Sequence, residues 1–263
     1  MEELRTLYRY RQLIAALTSR DLKARYRGSV LGFFWSLANP LMLLTVYTLV
    51  FTRFFPRHDI SLYPLFLFAG ILPWTFFSAA VLESTNAISG NAGLIKKVMF
   101  PAEALPIVVV LSHLVHFVLA LPVLLVAMAW FALRHQFVFT PAILLTPVLL
   151  LFQTVFVAGV AMIVSSASVL FRDLRDLVAN MIQLAFFLTP IIYSMTAVDS
   201  QWMRALLHLN PMTPFVLAYQ DIFYFGHMPG PWNAGLIVVY TLVSSVLGFG
   251  VFERLRDTLA EAI

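Results

Sequence analysis

Residues 104–133 read ALPIVVVLSHLVHFVLALPVLLVAMAWFAL, thirty positions without one Asp, Glu, Lys or Arg. A helix crossing the hydrocarbon core of a bilayer needs about 20 apolar residues, so this stretch is long enough to span. Three more charge-free runs, 60–82, 136–171 and 222–252, pass that length, and 31–52 with the shorter 177–193 bring the candidates to six. All are read as helices, because lipid offers no partner to an unpaired backbone group. The spans are placed at 31–52, 62–82, 104–133, 141–171, 177–193 and 233–252, within one all-α integral membrane domain over 1–263.

Composition agrees. The 263 residues are 61% apolar and only 11% charged, against roughly 45–50% and about 25% in soluble domains, and mean hydropathy is +0.88. With no Cys, disulfide frameworks, thiolate metal sites and Cys nucleophiles are excluded. The net charge of +4 reads as orientation rather than nucleic-acid binding. If sides alternate at each span, thirteen of the 17 Lys and Arg fall on the side of both termini and four (Arg53, Arg57, Arg134, Arg204) on the other. The positive-inside bias then puts both termini in the cytoplasm. The first thirty residues, rich in Arg and without an uninterrupted apolar core, argue against a cleaved signal peptide.

The connections carry their own patterns. Leu4, Leu7, Tyr10, Ile14 and Leu17 recur at helical steps among Arg5, Arg9, Arg20, Lys23 and Arg27, which predicts an amphipathic helix within 1–30 lying in an anionic membrane interface. Between the second and third spans, 86–97 predicts a short helix parallel to the membrane, with Asn86 as its N-cap, Leu94 and Ile95 as apolar anchors, and Lys96 and Lys97 beside them. The alternative is a plain loop. In the charged island 171–176, Arg172 and Asp176 are one helical turn apart, and Asp173 or Asp176 is placed to cap the fifth span; a neutralised turn and a partner contact both suit it. The segment 195–231 is too apolar for a free loop. Asp199 or Ser200 is placed to cap a helix bearing Trp202, Leu206 and Leu209, and Asn210, Pro211 and Pro214 break it before a second helix over 215–225. Two short re-entrant helices are expected, set against protein or a water-lined cavity.

Several stretches resemble type-2 ABC exporter permeases of the polysaccharide export family. They are TSRDLKARYRGSVLGFFWSLANPLMLL (18–44), YPLFLFAGILPWTFF (63–77), LIKKVMFPAEALP (94–106), FRDLRD (171–176), FFLTPIIY (186–193) and LNPMTPF (209–215). They occur in order over nearly the whole chain, and the resemblance extends to membrane subunits that export O-antigen, capsular polysaccharide or teichoic acid in bacteria. It implies a homodimer in the cytoplasmic membrane, moving a lipid-linked polysaccharide between its subunits. It also implies two separate ATPase subunits that hold ATP and Mg. No G-x-x-x-x-G-K-[ST] phosphate loop occurs in this chain, so no nucleotide or other cofactor site is expected on it. The resemblance makes 86–97 the coupling helix and the outer helices a gate.

Sugar rings pack CH-rich faces on aromatics while their hydroxyls take hydrogen bonds. That chemistry singles out Phe33, Phe34, Trp35, Asn39 and Tyr47 of the first span with Phe186, Phe187 and Tyr193 of the fifth as the path. Position 212 is expected to be reachable from outside and position 187 shielded. Two other functions compete with this one. A type-2 ABC permease for a drug, haem or lipid shares the hydropathy. An intramembrane enzyme needs buried acids or a nucleophile with its base, whereas the spans contain no Asp or Glu and the pair His113 and His116 lacks a third metal ligand. Those histidines are expected to be hydrogen-bonded packing residues.

Overall fold

The computed structural model describes residues 9–27, 34–50, 60–93, 101–171 and 173–262. In chain order its helices are α1 (Arg11–Tyr26), α2 (Trp35–Leu49), α3 (Tyr63–Ser84), α4 (Ala104–Leu133), α5 (Thr146–Leu170), α6 (Leu174–Phe187), α7 (Gln201–Leu209), α8 (Met212–Gln220) and α9 (Pro231–Ala262). A 3-10 turn, Pro141–Leu145, leads into α5, and a π turn, Asp221–Phe225, extends α8. Among the described residues there is no strand. Four helices are long and apolar enough to cross a membrane: Tyr63–Ser84, Ala104–Leu133, Pro141–Leu170 and Pro231–Arg256.

α3 is the axis of the bundle. It is apolar all round, and 72% of its most apolar stretch is enclosed by protein, against 28% for α9, which identifies α3 as a core helix and α9 as a peripheral one. It packs against α4, α5, α8 and α2. Pro64 starts it, where a missing N–H costs nothing. Pro73 falls inside it and deprives the Ala69 carbonyl of its helical donor. Gln153 of α5 donates to the Pro73 carbonyl at 2.8 Å, tying the two helices together there.

The most extensive pairing joins α5 to α9. A side chain at Gly159 would overlap the Ser244 backbone, and one at Gly248 would overlap Gly159 itself. Small residues let two backbones touch, which is how helices associate in lipid, where apolar side chains gain little by leaving the bilayer.

α1 and the last turns of α9 meet the same end of the bundle. Arg25 of α1 meets Glu83 in the last turn of α3, and Arg256 of α9 reaches Glu103 just before α4 at 4.0 Å. This basic end also holds the turns at 85–88. At the opposite end Tyr224 donates to the Ser61 carbonyl, and His208 of α7 faces Asn233 of α9.

The apolar stripe of α1 meets protein at two of its positions: Ile14 and Leu17 are buried with Ala87, Ala104, Leu105 and Val108. Leu4, Arg5 and Leu7 lie outside the described residues. Two expectations are corrected. Asn86 caps no helix. Residues 85–88 are turns, followed by a 3-10 turn at Ser89–Asn91. Here the Asn86 amide oxygen accepts the Ser89 hydroxyl at 3.1 Å and the Asn91 amide donates to the Ala87 carbonyl at 2.8 Å; Ala92 and Gly93 are helical, and 94–97 lie outside the described residues. Finally, α6 does not run on to 193. It stops at Phe187, because Pro190 disfavours helical backbone at Thr189.

Candidate functional site

At the opposite end the break after α6 leaves irregular backbone inside the molecule, with Thr189, Pro190 and Ile191 buried. Its polar groups are met by side chains from elsewhere. Gln220 donates to the Pro190 carbonyl at 2.9 Å and Tyr63 to the Ile192 carbonyl at 3.0 Å. Asn210 donates to the Thr189 hydroxyl at 2.7 Å and the Ala185 carbonyl at 3.2 Å. Non-helical backbone at membrane depth requires such partners. A Cβ at Gly70 would lie 2.9 Å from the Gln220 amide nitrogen and 3.5 Å from Ile191 Cα, so glycine gives the broken segment room to pass α3.

The residues predicted to form a gate hold the same corner. Asn210 also accepts the Met212 N–H at 3.0 Å, Pro211 precedes α8, and Pro214 occupies its first turn, where proline is tolerated. Trp202 stands apart on α7, 68% exposed. Ser200 occupies the N-cap position of α7 without a side-chain bond. Met212, expected to be reachable, is fully buried, since α8 is sealed between α3 and the break. Phe187, expected to be shielded, is exposed on the chain.

The predicted path residues divide. The Tyr47 and Phe186 rings stack at 6.2 Å, 18° from parallel, and Phe186 sets its edge against Phe187 at 5.4 Å. Tyr193 donates to the Phe187 carbonyl at 3.2 Å. The cluster continues through Trp74, 5.8 Å from Phe186, to Phe77 at 5.6 Å; neither was anticipated, although both lie in the quoted 63–77 stretch. Phe34 and Trp35 are exposed, and α2 sets Trp35 about 18 Å from Tyr47 along its axis, so they do not join the cluster. Phe33 and the side chain of Asn39 lie outside the described residues.

Sequence reasoning missed the charged cluster at the basic end. Arg25 Nη2 donates to both Glu83 oxygens, at 2.6 and 2.9 Å, and His113 Nε2 lies 2.7 Å from Glu83 Oε2. Burial pulls the Arg25 guanidinium pKa down, yet the Glu83 hydrogen bonds and charge, helped by Asp21, raise it overall. His116 packs edge-on to His113 at 5.8 Å. A signal was available: Glu83 directly follows a charge-free run, and His113 lies inside the next. Ionisable groups at a membrane edge need partners. Of the residues predicted to couple to the ATPase, Leu94, Ile95, Lys96, Lys97 and Arg172 lie outside the described residues. Asp173 occupies the N-cap position of α6 without a side-chain bond, and Asp176 lies in its first turn. Among the described residues no group of three or more His, Cys, Asp or Glu is placed to hold a metal ion.

The sequence profile of the ABC-2 type transporter family matches residues 12–224. The chain belongs to that family. As an ABC-2 type transporter it aligns end to end with curated relatives. It is 40% identical, over 99% of its length and 98% of the relative's, to the O-antigen export system permease protein RfbA of Myxococcus xanthus. It is 30% identical to a protein of the same name from Klebsiella pneumoniae, over 95% of both chains. The polysialic acid transport protein KpsM of Escherichia coli is 22% identical over 94% of both. The match to the ABC-2 transporter profile covers the Arg25–Glu83–His113 cluster, the break after α6, and α7 and α8.

Proposed function

We propose that this chain is the membrane-spanning permease subunit of an ABC transporter that exports a lipid-linked polysaccharide of O-antigen, capsule or teichoic-acid type. The observation that carries this reading is the 40% identity over nearly the whole of both chains to an O-antigen export permease. The chain crosses a bacterial cytoplasmic membrane six times, with both termini inside. In support, α1 lies at the basic end and Tyr63 at the opposite one, so the chain traverses the bundle in the α2 region; it traverses again between the end of α5 and the start of α9, through α6 and the break.

The transporter is a homodimer with two cytoplasmic ATPase subunits that bind ATP and Mg. The segment containing Asn86, Leu94, Ile95, Lys96 and Lys97 docks on the ATPase, with Arg172 and Asp173 as a minor contact. Tyr47, Phe186, Phe187 and Tyr193 line the sugar path, because rings and hydroxyls side by side match both surfaces of a glycan. The corner Asn210–Pro214 and α7 form the outer gate.

Copurification from native membranes tests the reading: an ATP-binding subunit and lipid-linked glycan are expected together, whereas an ATPase with a drug, haem or free lipid and no glycan would overturn it. Docking has its own test in the purified complex. Leu94→Asp with Ile95→Asp should abolish stimulated ATP hydrolysis and export, while Lys96→Ala with Lys97→Ala only weakens them, since exposed charges contribute about 0–1 kcal/mol each. An essential charge pair with a dispensable apolar pair would reject the docking.

A further inference from the structure

The last turn of α3 and the short stretch after it touch four other helices with neighbouring residues. Glu83 is gripped by Arg25 of α1 through both oxygens and faces His113 of α4. Two residues on, the Thr85 carbonyl accepts the Ser168 hydroxyl of α5. Ala87 is buried in the α1–α4 cluster. Ile88, fully buried, turns the other way into a socket made by Met162 of α5 and Phe252 of α9.

We infer that Glu83 and Ile88 are the joint through which displacement of the segment following α3 reaches the membrane helices, Glu83 drawing on α1 and α4 and Ile88 on α5 and α9. The inference rests on the proposed ATPase-driven function. A loop attached only by its chain ends would absorb such a displacement in its own backbone torsions. A β-branched side chain with restricted χ1, held at close-packed density, passes it on. α9 lies far along the sequence from this stretch, and its close backbone contact with α5 at Gly159 and Gly248 makes the two a single unit to push against. Glu83 is the weaker half of the joint. Its side chain is 38% exposed and that of Arg25 31%, so solvent screens the pair, whereas the Ile88 socket is closed.

The test is polymer exported per ATP hydrolysed by the purified permease–ATPase complex in proteoliposomes, normalised to assembled complex. Ile88→Ala is expected to lower that ratio about fivefold or more, the scale of an ordinary coupling free energy. Met162→Ala, which opens the socket from its other wall, should act in the same direction. Ile88→Val should stay near wild type. Glu83→Ala should lower the ratio about two- to fivefold, as befits a partly exposed pair, and Glu83→Gln, which can still bond to both neighbours, should recover much of the loss. A purely structural role would reduce assembled complex, or depress hydrolysis and export together, with the ratio unchanged; that result overturns the inference. Wild-type complex that hydrolyses ATP without moving polysaccharide would instead overturn the proposed function.

Discussion

α7 and α8 are consecutive helices of nine residues each, and they live in opposite surroundings. α7 exposes Trp202, Met203, Leu206 and Leu209 and buries only Leu207, while α8 buries Met212, Phe215, Val216 and Tyr219 completely. Length does not separate them; charge and attachment do, since α7 carries Arg204 and α8 has no charged side chain. α7 is held through its last turn, where the Tyr240 hydroxyl donates to the His208 carbonyl at 2.6 Å and His208 Nε2 faces the Asn233 amide oxygen at 3.3 Å. α8 is a wedge that fills the space between α3 and the broken backbone and supplies the Gln220 donor which that backbone needs. A connection between spans can therefore contain a core element and a surface element side by side, and perturbing them should have very different consequences.

The strongest way to break the contrast is at the wedge. Gly70→Val would drive a side chain into Gln220 and Ile191, and a loss of about 2–3 kcal/mol is expected, read as a lower midpoint of thermal unfolding in detergent. An unchanged midpoint would mean that α8 does not press on α3 as described. Gln220→Leu keeps the bulk but leaves the Pro190 carbonyl without its donor, so a loss of about 1–3 kcal/mol should appear in the same measurement.

Accessibility sharpens the comparison. Because the native chain has no Cys, single cysteines report cleanly: Gln201→Cys at the exposed start of α7 should react with a membrane-impermeant maleimide added from outside at least about tenfold faster than Met212→Cys, a difference of about 1.4 kcal/mol. Equal rates would show that α8 opens to water. The smallest effect belongs to α7. Trp202→Ala should shift stability by no more than about 0.5 kcal/mol, as expected for an exposed position; a shift as large as that of Gln220→Leu would mean that Trp202 is covered in the assembled protein.

The same division separates what was legible from what was not. The four long apolar runs are helices in the structure because a membrane helix satisfies its backbone within its own segment, so local composition suffices to read it. α8 lies against protein, and the sequence held a sign of it: α7 carries Arg204, whereas α8 has no charged side chain. In the sequence Asn210 reads as a breaker of helix, whereas its structural work is to tie Thr189, Ala185 and Met212 into one corner. His113 is the hydrogen-bonded histidine that was expected, but its partner at 2.7 Å is a carboxylate 30 residues away.

By itself the sequence determined the helical class, the apolar spans and the family resemblance, all of which depend on residue type and spacing along one segment. Only the tertiary structure decided that Arg25, Glu83 and His113 meet, that Tyr47 stacks on Phe186 rather than joining Trp35, and that Ile88 closes on Met162 and Phe252. These contacts join positions tens of residues or more apart. The periodicity of a helix specifies which of its faces is apolar, but the helix that covers that face is selected by the packing of the whole bundle, where close backbone approach at Gly159 and Gly248 and the break at Pro190 fix the geometry.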